Sequence, residues 1–142
     1  MCLSSIRSGK NHKPYNKSNI RWKIVREHSS KLVTPFYNSH YKLGVRRKCR
    51  NQDLDYCNLE DIGFHVFVNK KDAFCYANGN GCYNVMKVIV EGFKLSGEWD
   101  VRFDSFKSET WKYITAMNVY DKKGNDITKN YISNKVTYRN SK

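Results

Sequence analysis

The apolar residues of this chain occur in short blocks separated by polar turns, and this pattern limits the possible folds more than any other feature. In Ile20-Arg21-Trp22-Lys23-Ile24 apolar and basic residues alternate, and a period of two predicts a half-buried β-strand with one basic face. Phe64-His65-Val66-Phe67-Val68 predicts a second strand, and the segment from Tyr83 to Val90 predicts a third that is central in its sheet. The chain is therefore expected to be built mainly on a sheet.

One segment carries the signals of a helix. Asn69 is a favourable N-cap residue with Asp72 three positions later, and Asn78-Gly79 is a usual C-terminal signal. Together they predict a helix over residues 70–77. The fold class predicted from these elements is α+β, with a mostly antiparallel sheet of five to seven strands and one short helix packed on it.

The remaining segments are assigned by their turn residues. Gly92 and Gly97 are predicted to bracket a turn that precedes a strand over residues 99–106. Residues 113–120 and 126–138 are β-prone and are joined by a Lys-Gly-Asn turn. Residues 46–55 are polar, and we expect an exposed loop there.

The 142 residues are enough for one domain that folds without a metal or disulfide. Residues 1–19 have almost no apolar side chains and predict a flexible basic arm, residues 20–138 predict a single α+β domain, and residues 139–142 predict a tail. The N-terminus lacks the apolar core of a signal peptide, and no stretch approaches the ~20 apolar residues of a membrane span. We therefore expect an intracellular protein, in the cytoplasm of the host or producing cell.

The positive charge is concentrated in the first third of the chain. The formal net charge is +13; residues 1–50 hold 13 basic and 1 acidic residue, whereas residues 51–142 hold 13 basic and 12 acidic residues. A concentrated positive field attracts nucleic acid, phosphorylated ligands, acidic protein faces or anionic membranes. Solubility alone does not require this segregation.

Basic and aromatic residues are interleaved in this first third, a combination that suits single-stranded nucleic acid or nucleotides. The predicted anion-binding residues are Arg21, Lys23, Arg26, Arg46, Arg47, Lys48 and Arg50. The predicted stacking residues are Trp22, Tyr37 and Tyr41. The alternative interpretation is a solvated charged face that binds nothing in particular.

Enzymatic chemistry has weak support in the sequence. No phosphate-binding loop, dinucleotide fingerprint, nucleophile elbow or zinc-protease motif is present. His65 is the candidate general base if the protein is an enzyme, although a hydrogen-bonded core histidine explains it as well. The cysteines at 2, 49, 57, 75 and 82 contain no C-x-x-C pair, so no metal and no cofactor are predicted.

Several short motifs resemble small uncharacterised proteins of phages, large DNA viruses and bacterial mobile elements. Those proteins pair a Y-K-x-G stretch with a G-[FI]-H-x-F-x(4)-[DE]-A block, and several begin Met-Cys-Leu. The resemblance covers residues 32–120 and implies only a setting, a viral or mobile-element accessory protein of the kind that often acts on host machinery or defence. The matching residues are Met1-Cys2-Leu3, Tyr41-Lys42-x-Gly44, Gly63-Phe64-His65-x-Phe67 with Asp72-Ala73, Val85 to Gly92, and Gly97.

Three functional hypotheses remain open from the sequence. The leading one is a non-enzymatic accessory protein that binds an anionic partner, with nucleic acid or a nucleotide favoured and an acidic host-protein face possible. The second is a small enzyme acting on a nucleotide or nucleic acid with His65 in its site, which requires a pocket of converging polar groups. The third is a structural or assembly protein, which requires an apolar self-association patch.

Overall fold

A computed structural model of the protein describes residues 3–33, 40–49, 63–81 and 83–132. Within these ranges the fold is α+β, as predicted, but the sheet has eight strands and not five to seven. The strands are β1 (Ser5–Ile6), β2 (Ile20–His28), β3 (Lys31–Val33), β4 (His40–Tyr41), β5 (Arg46–Lys48), β6 (Phe64–Phe67), β7 (Asn84–Val101) and β8 (Asp104–Tyr120). A 3-10 turn spans Gly9–Asn11, and the helix α1 spans Lys70–Gly79.

Four strands of the sheet close into a ring. The order along the sheet is β1-β7-β8-β6-β2-β3-β4, and β2 pairs with β7 as well as with β6. β5 extends the edge of β8 beyond β6. All pairings between these strands are antiparallel. Because the ring is closed, both faces of β2 are covered, and Ile24 and Val25 are buried on opposite sides.

The β7–β8 hairpin is the longest feature of the sheet and differs from the predicted turn positions. Gly92 and Gly97, which were predicted to bracket a turn, lie inside the 18-residue strand β7. The chain instead turns at Arg102 and Phe103, inside the predicted strand 99–106. Neither turn residue is Gly, Asn, Asp or Pro, so the usual turn signal is missing there.

Two apolar clusters pack on the two sides of the sheet. The larger one lies inside the curved sheet and includes Val66, Val88 and Ile114. The second is largely aromatic and packs under α1, where the ring centroids of Tyr76 and Trp99 are 4.8 Å apart. Burial of these side chains supplies most of the driving force for the fold.

The helix begins where the sequence predicts and runs two residues further than predicted. Asn69 stands at the N-cap position, but its side chain makes no hydrogen bond to the helix backbone. It donates instead to the carboxylate of Asp72 at 3.4 Å. Ala73 and Ala77 are buried, which lets the helix lie close to the sheet.

Within the described residues 3–19, the segment before β2 is hydrogen-bonded to the sheet and is not a separate arm. β1 pairs with the edge of β7 through Ser5 and Ile6. The backbone N–H of Tyr15 donates to Glu109 Oε2 at 2.7 Å, and its hydroxyl donates to the carbonyl of Gly97 at 2.8 Å. These backbone and polar contacts leave no trace in an apolar pattern, which explains why the sequence predicts an arm for residues 1–19.

The other predicted segments have mixed outcomes. Residues 46–48, expected in an exposed loop, form β5 because β8 offers an unpaired edge to them. The Lys-Gly-Asn turn forms, with Gly124 N donating to the carbonyl of Asp121 at 2.9 Å. Asp126 then bridges Tyr120, and a helical turn follows at residues 129–132 in place of a strand. Residues 133–138 lie outside the described ranges. No helix within those ranges has the length and apolar character to cross a bilayer.

Candidate anion-binding site

A groove of about 460 Å³ lies where β4 and β5 approach β8. β5 is positioned by its pairing with β8, which sets Arg46 opposite Thr115 and Lys48 opposite Tyr113. Of the described residues that line the groove, five are basic or histidine and none is acidic. The lining residues are His40, Tyr41, Lys42, Val45, Arg46, Arg47, Lys48, Ile114 and Ala116.

Arg47 is held in place by the groove floor. Its guanidinium lies over the ring of Tyr41, with Cζ 4.9 Å from the ring centroid, and 5.8 Å from that of Phe64. Nη1 of Arg47 also donates to the carbonyl of His40. A guanidinium stacked on an aromatic face loses little further freedom when it binds a carboxylate or phosphate, because its fork is already oriented.

Arg46 is held at the rim by two groups. Its Nε and Nη2 donate to the two carboxylate oxygens of Glu91 at 3.1 and 3.2 Å. Its guanidinium also lies 3.7 Å from the centroid of the Tyr113 ring. The hydrogen bond to Glu91 raises the pKa of Arg46, so this residue stays charged. Glu91 neutralises part of that charge, so Arg46 attracts a bound anion less strongly than an unpaired arginine at the same position would.

Lys42, Lys48 and His40 are exposed at the groove. Lys48 is one of the predicted anion-binding residues, whereas Lys42 and His40 are not among them. Lys42 directly follows Tyr41, a predicted stacking residue, and this position is the one sequence feature that could have indicated a role for Lys42 in the site. His40 and Lys42 come together with Arg46, Arg47 and Lys48 only because β4 pairs with β3 and β5 pairs with β8.

A second cavity of about 540 Å³ adjoins the groove and is mainly apolar. The two cavities share four lining residues, His40, Tyr41, Lys42 and Ala116. The other residues that line the apolar cavity are Ser30, Lys31, Leu32, Leu43, Gly44, Met117, Tyr131 and Ile132. A cationic and an apolar concavity therefore meet along one wall.

Arg21 and Lys23 are not at the groove. Arg21 is 0% exposed and pairs with Glu109, with Nε and Oε1 2.5 Å apart, and Lys23 donates from Nζ to the carbonyl of His65 at 2.8 Å. The basic face predicted for β2 thus points into the closed sheet, where protein groups hydrogen-bond to both charged side chains. Arg26, farther along β2, is half-buried and lines neither cavity.

The predicted stacking residues are also placed elsewhere or covered. Trp22 is half-buried near α1, with its ring centroid 6.1 Å from that of Tyr120, and it lines neither cavity. Tyr41 lines both cavities, but it is buried beneath Arg47. Tyr37 and Arg50 lie outside the described residues. The Arg47 guanidinium, which covers Tyr41, is therefore one planar surface in the groove on which a base can stack.

His65 lies in the core and lines neither cavity. Its side chain is 4% exposed, and burial, helped by the charge of Lys23, lowers its pKa to about 3. A general base works best with a pKa near the working pH and within reach of a cavity, so the burial of His65 favours the interpretation as a core histidine. Across the described ranges no cluster of three or more His, Cys, Asp or Glu side chains is arranged for a metal. Cys75 is a free thiol, and Cys2, Cys57 and Cys82 lie outside those ranges.

Comparisons of this chain with protein-family models, with curated proteins and with solved structures gave no match. The geometry and charge of the two cavities are therefore the features that indicate a function.

Proposed function

We propose that the protein is a non-enzymatic binding protein that holds an anionic partner in the groove between β4, β5 and β8. The observation that carries the proposal is the composition of the groove wall. His40, Lys42, Arg46, Arg47 and Lys48 converge there, and no described acidic residue lines it. Phosphate groups are the favoured anion, because Arg forks and Lys ammonium groups bind them by charge-assisted hydrogen bonds. The partner class is therefore nucleic acid or a nucleotide.

The orientation of the two arginines supports binding rather than simple solvation of charge. Arg47 is stacked on Tyr41 and Arg46 on Tyr113, so neither guanidinium is a freely moving surface group. Side chains that are ordered before binding lose less entropy when they bind. An anion that bridges Arg47, Lys42 and Lys48 would not need to displace Glu91 from Arg46.

The biological setting of the proposal is that of a viral or mobile-element accessory protein. It comes from the motif resemblance over residues 32–120, in which the Y-K-x-G stretch supplies Tyr41 and Lys42 of the groove. In that setting the anionic partner belongs to host machinery or host defence. An acidic face of a host protein is the other partner that such a groove fits.

The proposal is tested by titrating labelled single- and double-stranded oligonucleotides into the protein at low salt. We expect binding whose affinity falls roughly tenfold to a hundredfold between about 50 and 200 mM salt, as for three or four neutralised phosphates. The double variant Lys42→Glu/Lys48→Glu should remove this binding. Both side chains are exposed, so the fold should be retained, which circular dichroism checks.

The matched control is Lys122→Glu/Lys123→Glu, which makes the same charge change at exposed lysines that line neither cavity. If the two double variants weaken binding equally, the net charge is responsible and the groove is not the site. If no oligonucleotide binds at low salt, nucleic acid is excluded as the partner.

A further inference from the structure

Exposed apolar side chains gather around the two adjoining cavities. Five large apolar side chains are exposed in the described part of the chain. Three of them line the two cavities, one in the groove and two in the apolar cavity. Val45 lines the cationic groove, and Met117 and Ile132, which are 41% and 50% exposed, line the apolar cavity. Single exposed apolar residues are common, but their concentration at one concave site indicates a surface that is covered when a ligand binds.

The apolar cavity has the size and composition of a small-molecule site. Its volume of about 540 Å³ lies within the range of roughly 300–1,000 Å³ that is usual for such sites. Leu32, Leu43, Ala116 and Met117 contribute to its apolar lining, and Leu43 is bridged to Ala116 of β8. Such sites combine an apolar lining with a few polar groups that orient the ligand.

Polar groups of this kind stand where the cavities meet. His40 and Lys42 line both cavities, and the guanidinium of Arg47 lies on the groove side of the same Tyr41 ring. A ligand whose negative group reaches Lys42 and Arg47 therefore has apolar surface on one side of that group. A nucleic-acid strand that passed through both cavities would bring further phosphates against Leu43 and Met117, at a desolvation cost.

We propose that the two cavities form one site for a small amphiphilic anion, with its phosphate or carboxylate group in the groove and its apolar body in the adjoining cavity. This inference rests on the proposed function and narrows the ligand class. The shared chemistry is an anionic head on an apolar body. An alkyl phosphate and a nucleotide whose base enters the apolar cavity are two sources of it.

The test compares three probes by calorimetric titration of the full chain: inorganic phosphate, octyl phosphate and adenosine 5′-monophosphate. Because burial of an apolar body adds affinity, we expect octyl phosphate or the nucleotide to bind at least about tenfold more tightly than inorganic phosphate. A gain for octyl phosphate alone identifies an alkyl body, and a gain for the nucleotide alone identifies a base.

Variants locate the effect within the site. Met117→Asn and Ile132→Asn change exposed side chains of the apolar cavity and should remove most of the gain, whereas Lys42→Glu/Lys48→Glu should weaken every probe. Phe103→Asn, which changes an exposed apolar residue at the tip of the β7–β8 hairpin, is the matched control and should change nothing.

Two results overturn the inference and leave the proposed function standing. In the first, no probe binds more tightly than inorganic phosphate while oligonucleotides bind in the groove. In the second, the gain in affinity over inorganic phosphate persists in Met117→Asn and Ile132→Asn. If neither the probes nor oligonucleotides bind, both proposals fail.

Discussion

Arg21 and Glu109 form a buried ion pair in which nearly every polar atom has a partner. Glu109 Oε1 accepts from Arg21 Nε at 2.5 Å and from Trp111 Nε1 at 2.9 Å, and Oε2 accepts from the backbone N–H of Tyr15 at 2.7 Å. Nη1 of Arg21 donates to the carbonyls of Ser18 and Ile20. The pair therefore joins the N-terminal segment, β2 and β8 at a single point. A buried charge is tolerable only with this degree of satisfaction.

We predict that Glu109→Gln lowers the free energy of unfolding by about 3–5 kcal/mol, because it leaves the Arg21 charge buried without a counter-ion. Urea denaturation measures the change. The double variant Arg21→Met/Glu109→Gln should be more stable than Glu109→Gln alone, since it removes the unpaired charge. If Glu109→Gln lowers the free energy of unfolding by less than about 1 kcal/mol, the buried ion pair does not stabilise the fold in this way.

A second prediction follows from His65. Burial and the nearby Lys23 lower its pKa to about 3, whereas an unfolded histidine titrates near 6.5. Between these values the unfolded chain binds a proton that the folded protein does not. The contribution of neutral His65 to the free energy of unfolding is therefore complete above about pH 6.5. It is lost as the pH falls, at up to about 1.4 kcal/mol per pH unit. Between about pH 6.5 and 4.5 this amounts to roughly 2–3 kcal/mol.

Replacing His65 by Gln should remove this part of the pH dependence. The measurement is the slope of the unfolding free energy against pH for the native and variant proteins, which does not require equal stabilities. His28→Gln, at an exposed histidine of β2, is the control and should keep the native slope. Equal slopes for the native protein and the His65 variant would contradict the assignment of a neutral, buried imidazole.

At the scale of elements, the hairpin β7–β8 organises the molecule. The two strands stay paired from Val85 opposite Tyr120 to Val101 opposite Asp104, with register shifts between Lys87 and Val88 and between Phe93 and Leu95. These let one long strand pair with β2 at one end and with β1 at the other. Gly92, at φ +71°, lies beside the second irregularity, in a conformation that favours glycine. The glycines that resemble turn signals in the sequence are thus bulge and contact residues.

Gly97 allows the close approach of β1 to the edge of β7, with which it pairs. A Cβ atom at this position would lie 1.9 Å from the carbonyl oxygen of Ser5, which no side-chain adjustment can relieve. We predict that Gly97→Ala displaces β1 and lowers the free energy of unfolding by about 1–3 kcal/mol. Limited trypsin digestion should then cut faster at Lys10 and Lys17.

Gly79→Ala is the matched control, because a Cβ there meets nothing within 4 Å. It should leave the digestion of the N-terminal segment unchanged. If Gly97→Ala is digested no faster than Gly79→Ala, the segment is not held to the sheet by the close approach at Gly97.

At the scale of the whole molecule, the fold redistributes a charge excess that is contiguous in sequence. Residues 1–50 carry nearly all of the net charge of +13, but Arg21 and Lys23 are buried and satisfied by protein groups. Arg46, Arg47 and Lys48 are exposed to different degrees and gather at one groove. The long-range field still attracts anions, and the groove selects where they bind.

The sequence by itself determined the elements whose signals are local. The strand at Phe64, the helix from Lys70 and the strand from Tyr83 all follow from periodicity and capping residues, and so does the α+β class. The basic stretch at Arg46 was also identified as a candidate site, since charge density is visible without a fold. These properties depend on neighbours within a few positions.

Only the tertiary structure decided which residues are accessible and which strands meet. The closure of β2, β7, β8 and β6 into a ring turned Arg21 and Lys23 inward, because a strand enclosed on both faces has no solvent side. The pairing of β5 with β8 converted an expected loop into one wall of a groove and brought Lys42 and His40 beside Arg47. The β5–β8 pairing joins residues that are far apart in sequence, as with Arg46 and Thr115, and its energy depends on edges and burial that no local pattern encodes.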